Sequence, residues 1–201
     1  MLRSMLCLAA VLFAGAAGAD ERVGGVSRVT GECHGVLQGR TEPLSLASAV
    51  FLQQTVGTKA AARLEITFND TTRLTLGENA ELTIDRFVYN PKRTSRISLA
   101  VTGAMRFVGS AHKQQGDEEL VTTPVVDIGA RGTDFWAGPI DGKYGVLLFQ
   151  GSVTVSNSVG RVVLDRPGEG VNIAGRNVAP GPVTQWPSAK VRRALAAVSF
   201  P

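Results

Sequence analysis

Cysteine is almost absent: of 201 residues only Cys7 and Cys33 carry a thiol, and Cys7 lies in an apolar N-terminal run. If that run is removed on export, Cys33 alone remains. An intramolecular disulfide framework is then excluded, and packing has to hold the core. Histidine is as scarce, with two residues, and one cysteine with two histidines at no ligand spacing makes no metal site. Cys33 and His34 are neighbours, but adjacent strand residues point to opposite faces, so they are not read as a catalytic pair. Beyond the N-terminus every apolar stretch is cut by charge or glycine within about ten residues, short of the roughly 18–20 that span a bilayer. A block of Lys and Arg is also missing. The formal net charge is +4 with both signs interspersed, which excludes a surface tracking nucleic-acid phosphates. Lys92, Arg93 and Arg96 beside Pro91 read as a solvated turn. No Gly-x-Ser-x-Gly elbow and no Gly-Lys-Ser/Thr phosphate cradle is present. No catalytic residue, cofactor or metal ligand is therefore expected.

What is present begins at the N-terminus. Arg3 precedes an uncharged apolar run from Met5 to Ala17, followed by small residues at Ala17-Gly18-Ala19. This is the three-part secretory signal pattern, with cleavage expected after Ala19 and Asp20 as the new terminus. The run of about 13 residues is too short for a membrane anchor. Cys7 follows Ser4-Met5-Leu6 at the start of the run, the wrong place for lipidation. The expected product is a periplasmic or secreted chain of about 180 residues, enough for one sizeable core.

Glycine marks the rest of the chain, recurring between short alternating runs about every 8–12 residues. Leu64, Ile66 and Phe68 alternate with Glu65 and Thr67, then Asn69-Asp70-Thr71 turns the chain. Leu74 and Leu76 alternate with Arg73 and Thr75, then Gly77-Glu78-Asn79 turns it again. Leu82 and Ile84 follow among Glu81, Thr83 and Asp85. Period two with one apolar face argues half-buried strands. The fold class expected is all-β, with short stacked strands in a β-solenoid or sandwich-like arrangement. Further strands are expected at Val26–Val36, Val50–Val56, Ile97–Val108, Leu120–Thr123, Gly145–Ser156, Arg161–Leu164 and Val171–Ala174. Loops are expected at Tyr89-Asn90-Pro91, His112–Glu119, Pro139–Gly142 and Arg166–Gly168.

After Val178 the texture changes. Pro180-Gly181-Pro182 and Trp186-Pro187 lead to Ser188, a plausible helix cap. Val191, Ala194, Leu195 and Val198 then fall on one helical face, with Lys190, Arg192 and Arg193 on the other. A short C-terminal helix closing the open end of the β core is expected.

The segment Thr123-Pro124-Val125-Val126-Asp127-Ile128-Gly129-Ala130-Arg131-Gly132-Thr133-Asp134-Phe135 resembles the signature of the FecR domain family. The flanks agree in order: Gly24 to Gly31, Ala49 to Thr58, Phe68 to Gly77, and Val146 to Val155. Ala47-Ser48-Ala49 and Gln53-Gln54 depart from the family's turn residues. The resemblance spans about residues 23–175, and together with the two terminal patterns three parts are expected: residues 1–19 as signal peptide, 20–178 as a FecR-like β domain, and 179–201 as a Pro-rich linker and helix. The signature residues Thr123, Pro124, Gly129, Arg131, Gly132, Thr133, Asp134 and Phe135 are expected to be structural. Pro124 would end a strand, since it cannot donate to a ladder. Gly129 and Gly132 would permit close approach or positive φ. Arg131 would tie loop carbonyls or Asp134.

The resemblance implies a non-enzymatic periplasmic module of the bacterial envelope that binds, senses or scaffolds. Its partner would be an envelope protein or polymer, with no nucleic acid and no integral membrane segment after signal cleavage. One alternative is a glycan-acting hydrolase using Asp127, Asp134 or Glu118-Glu119, with Phe135 and Trp136 as sugar platforms. Another is a soluble partner of an anti-sigma and transporter signalling system.

Overall fold

A computed structural model describes residues 20–89, 96–110 and 118–201, without the side chains of Glu118 and Arg131. The expected signal peptide, Lys92 and Arg93, and residues 111–117 of the expected polar loop lie outside the described residues. In chain order the strands are β1 (Arg22–Thr30), β2 (Cys33–Leu37), β3 (Arg40–Pro43), β4 (Ala49–Phe51), β5 (Thr55–Thr58), β6 (Arg63–Phe68), β7 (Arg73–Leu76) and β8 (Glu81–Val88). They continue with β9 (Arg96–Thr102), β10 (Met105–Val108), β11 (Glu118–Thr122), β12 (Asp127–Ile140), β13 (Lys143–Ser156), β14 (Arg161–Leu164), β15 (Glu169–Ile173) and β16 (Thr184–Gln185). One helix, α1 (Ser188–Ala196), follows.

The strands form one hydrogen-bonded path, β3-β2-β5-β8-β9-β11-β12-β10-β7-β6-β1-β4, with β13 on β12 and β14, β15 and β16 beyond it. Phe68 of β6 and Phe87 of β8 are on strands that do not pair, yet their rings stack with centroids 5.7 Å apart. The sheet therefore folds over itself into two layers with apolar inner faces in contact. Layer one holds β4, β1, β6, β7 and β10, and layer two holds β3, β2, β5, β8, β9 and β11. Among the described residues every pairing is antiparallel except β9 with β11. A stack of parallel coils is thus set aside, and the sandwich arrangement holds.

The alternation read from sequence places the core. Leu64, Leu76, Met105, Ala137, Val146 and Val171 form one register row across layer one, all fully buried. Ile84, Leu99, Val121, Ile128 and Val155 form its counterpart across layer two. Burying each such side chain is worth about 1.5–3 kcal/mol against the entropy of ordering it.

The chain passes repeatedly between layers at tight corners. Three expected strands are accordingly broken in two: Val26–Val36 at Gly31, Val50–Val56 at Gln53, and Ile97–Val108 at Gly103, all at positive φ. At Gly103 (φ +85°) a Cβ would sit 2.8 Å from the Ala80 Cα, so adjacent corners stack backbone to backbone. Glu118 and Glu119, expected in a loop, belong to β11. The expected loop at Pro139–Gly142 shrinks to the two-residue turn Asp141-Gly142, both at positive φ as a type I′ hairpin requires. Pro139 is tolerated in β12 because only β13 pairs with that end of the strand.

The C-terminal helix forms as expected but in a different place. Pro187, not Ser188, occupies the N-cap, and no side chain caps the helix. Its stripe lies on the outer face of layer one, where Ala194 and Val198 pack with Trp136, Ile140, Leu147 and Trp186 in a second apolar cluster. It covers that face and does not close an open end. Among the described residues no helix is long and apolar enough to cross a membrane.

Candidate functional site

The signature occupies the turn before β12 and the first two thirds of that strand. Thr123 organises the turn: its Oγ1 donates to the Val126 carbonyl at 2.8 Å and accepts from the Val125 and Val126 N–H groups at 3.2 and 3.0 Å. Pro124 is exposed at the turn between β11 and β12, where no ladder donor is required.

Strand β12 then changes layers. Its first half pairs with β11 of layer two, and its second half with β10 of layer one. Between them the register with β13 shifts from Arg131 to Asp134, around Gly132 at φ +58°. On β13 the matching bend is Gly151 (φ +84°), where a Cβ would lie 2.7 Å from the Gly132 carbonyl oxygen. Bulged strands that switch sheets make the corners of such sandwiches. The Arg-Gly-Thr core of the signature is this corner in backbone terms. Beyond it, Thr133 is buried, and Phe135 is fully buried and stacked on Phe107 with centroids 5.4 Å apart.

Asp134 is held by Arg106 of β10, with Nε and Nη2 donating to its two carboxylate oxygens at 2.9 and 2.7 Å. The hydrogen bond to Asp134 raises the Arg106 pKa further. Arg106 is the partner that sequence reasoning missed. Its outward direction is legible from Met105 and Phe107 on either side, but its strand pairing is not. The Arg131 side chain lies outside the described residues. Gly129 is not at positive φ, and among the described residues a Cβ there would meet only Thr154 Cβ at 4.0 Å.

Among the described side chains, the hydrolase candidates Asp127 and Asp134 are not brought together. Asp127 is exposed at the start of β12 in layer two, whereas Asp134 lies past the corner in layer one and is bound to Arg106. Glu119 is buried, and Phe135 and Trp136 are fully buried, so neither ring offers a surface for sugar. Cys33 is buried, with burial as the main cause pushing its thiol pKa up and Glu32 adding to it. His34 projects from the opposite face over Gly57. Among the described residues no group of His, Cys, Asp or Glu is placed to hold a metal.

The outer faces of the two layers differ. Across layer one the outward row runs Glu65, Thr75, Arg106, Trp136, Leu147, Gly170. Its far end is covered by this chain, with the Trp186 indole lying directly on Gly170 and Gly145. Across layer two the outward row runs Arg86, Ser98, Leu120, Gly129, Thr154, Val163. Leu120 and Val163 are 40% and 48% exposed. No described residue lies over Gly129 in the middle of that row.

A family description, FecR protein, matches residues 54–154, half of the chain. The chain belongs to the FecR protein family. No curated protein matches this FecR-family chain. Among solved structures it is similar to two crystal structures, at 1.65 and 2.50 Å, of a protein from Parabacteroides distasonis ATCC 8503 described as a candidate anti-sigma factor. Both show a TM-score of 0.57 and 17% identity over 70% of this chain. The match spans 64% and 63% of those chains, less than two thirds of their length. At that identity the likeness is one of fold.

Proposed function

We propose that this FecR-family chain is a non-enzymatic periplasmic module for sensing or signalling, and that it acts by binding a protein partner through the outer face of layer two. Residues 20–178 form the working β domain, and the secretory pattern of residues 1–19 supports the location. The signature is structural except at Gly129. The observation that carries the reading is the contrast between two outward glycines. Gly170 is bare so that Trp186 can lie on it, whereas Gly129 presents the same bare backbone with no described residue above it. A strand glycine of that kind marks the close approach of another backbone or ring. With Leu120 beside it and Val163 beyond Thr154, it offers a flat surface with apolar ends to a partner's strand or aromatic side chain. The anti-sigma description of the structural neighbours favours a periplasmic segment of an inner-membrane regulator or of an outer-membrane transporter as that partner.

The test is a titration of the exported chain with those periplasmic segments, alongside the variant Gly129→Lys. The backbone and space at Gly129 accept a side chain, so the variant should keep its melting temperature while binding weakens at least about tenfold, or roughly 1.4 kcal/mol. Absence of binding by any segment, or binding indifferent to Gly129→Lys, would overturn the reading. Export is checked by fractionation and N-terminal sequencing, which should begin at Asp20.

A further inference from the structure

The layers do not close along the side where β3 and β4 are the last strands of layers two and one. Between them lies a cleft of about 360 Å³, within the roughly 300–1,000 Å³ of small-ligand sites. Its innermost polar group is the side chain of Gln54, a residue only 5% exposed. Gln54 Oε1 accepts from the Phe51 N–H at 3.0 Å. No acceptor among the described residues meets Gln54 Nε2, which lies against Gly35, where a Cβ would collide with it. Nε2 keeps contact with the solvent of the cleft, so this donor is open to a group bound there.

The lining selects a class of ligand. Leu37, Leu44 and Phe51 form an apolar wall. Arg40 and Glu42 stand on the exposed strand β3 with no ion-pair partner among the described residues, and Asp20 at the rim accepts from Gln38 Nε2 at 2.7 Å through one carboxylate oxygen. An anion would face Asp20 and Glu42, a cation would face Arg40, and an aliphatic group would leave Gln54 Nε2 unmet. An added strand is disfavoured too. The Phe51 N–H of edge strand β4 is already taken by Gln54, and Pro43 interrupts the donors of edge strand β3. Hydroxyls both donate and accept. A ring bearing several of them on one side and C–H groups on the other satisfies Gln54, Arg40 and Glu42 while resting on Phe51 and Leu44.

We infer that the cleft between β3 and β4 is a binding site for a sugar ring, of the kind found in envelope glycans. The site is independent of the protein-binding face and stands or falls separately from it.

Saturation-transfer NMR of the full exported chain with free glucose, galactose and N-acetylglucosamine tests it, with glycyl-glutamate as the zwitterionic comparison. At least one sugar should receive saturation, and its affinity should fall at least fivefold in Arg40→Ser and again in Gln54→Met. Arg40 is exposed and holds no other side chain, so its variant reports on the site even if Gln54→Met destabilises the corner. Arg161→Ser, on edge strand β14 at the opposite side, should leave binding unchanged. Saturation of no sugar, of glycyl-glutamate alone, or sugar binding unaffected by Arg40→Ser overturns the inference.

Discussion

At the scale of single residues, glycines that look alike in the sequence do opposite things. Gly151 and Gly132 face each other at the corner where the β12–β13 hairpin passes from one layer to the other, both at positive φ. Gly129, three residues before Gly132, sits in ordinary strand backbone with no described residue above it. An alanine at Gly151 must adopt a left-handed conformation and press on the Gly132 carbonyl at 2.7 Å. Gly151→Ala should therefore cost about 2 kcal/mol or more, combining the conformational penalty with backbone displacement. Gly129→Ala should be neutral or stabilising by about 0.5 kcal/mol, because it removes only unfolded-state freedom. Urea unfolding of the two variants beside the parent separates these cases. Equal losses at both sites would refute the division of the signature into a structural corner and an outward surface position.

At the scale of elements, the least secure piece is the C-terminal helix. It has nine residues and no side-chain cap, below the length at which a helix stands alone in water. Beneath it the Nε1 donors of Trp136 and Trp186 are buried without a hydrogen-bond partner among the described residues. Its outer ties are modest: Arg193 reaches Asp141 at 2.9 Å between half-exposed side chains, and Lys190 lies 4.0 Å over the Trp186 ring. Burial lowers the Lys190 pKa, with Asp141 opposing the shift. Docking therefore rests on Ala194 and Val198. Ala194→Glu places an unpaired carboxylate at a fully buried position and should undock the helix, costing about 1–3 kcal/mol. Tryptophan emission should shift to the red while the β circular-dichroism signal persists. Collapse of both signals together would show that the helix is integral to the sheet. The helix was legible in its 3.6-residue stripe, but its docking site was not. The face that receives it is built from Trp136, Leu147 and Gly170, on three separate strands, and no local pattern reports that they adjoin. Strands were legible wherever Leu, Ile, Val and Phe alternate, as in β6, β7 and β8. Strand β3, Arg40–Pro43, has no apolar side chain to betray it, and the small residues of Gly129–Thr133 hide the middle of β12. Corners escaped because a periodicity runs straight through Gly31 or Gly103 while the backbone turns.

At the scale of the molecule, the sandwich is one apolar core bounded by layer crossings, so its stability depends on those crossings as well as on burial. The crossing from β14 of layer two to β15 of layer one is organised by a single carboxylate. Glu169 Oε2 accepts from the Asp165 and Arg166 N–H groups at 3.1 Å, and Oε1 from Arg166 Nε at 2.9 Å. The Asp165 N–H is the main cause holding the Glu169 pKa below its ordinary value, with the Arg166 N–H and guanidinium adding to it and desolvation opposing. A carboxyl depressed in the folded state adds stability that is present above its unfolded pKa, about 4.3, and is lost as pH falls through the lower folded value. This contribution should therefore be constant from neutrality down to about pH 5 and decline below about pH 4.3. In Glu169→Gln the amide can still accept one of the backbone N–H groups but carries no charge to titrate. The variant should be less stable than the parent at pH 7, and the gap should narrow as the pH approaches 3. Thermal unfolding of both proteins across pH 3–7 decides the matter. A gap that stays constant would mean that Glu169 holds the crossing by shape alone, whereas a gap that widens on acidification would reverse the sign of the linkage and remove the electrostatic account of this corner.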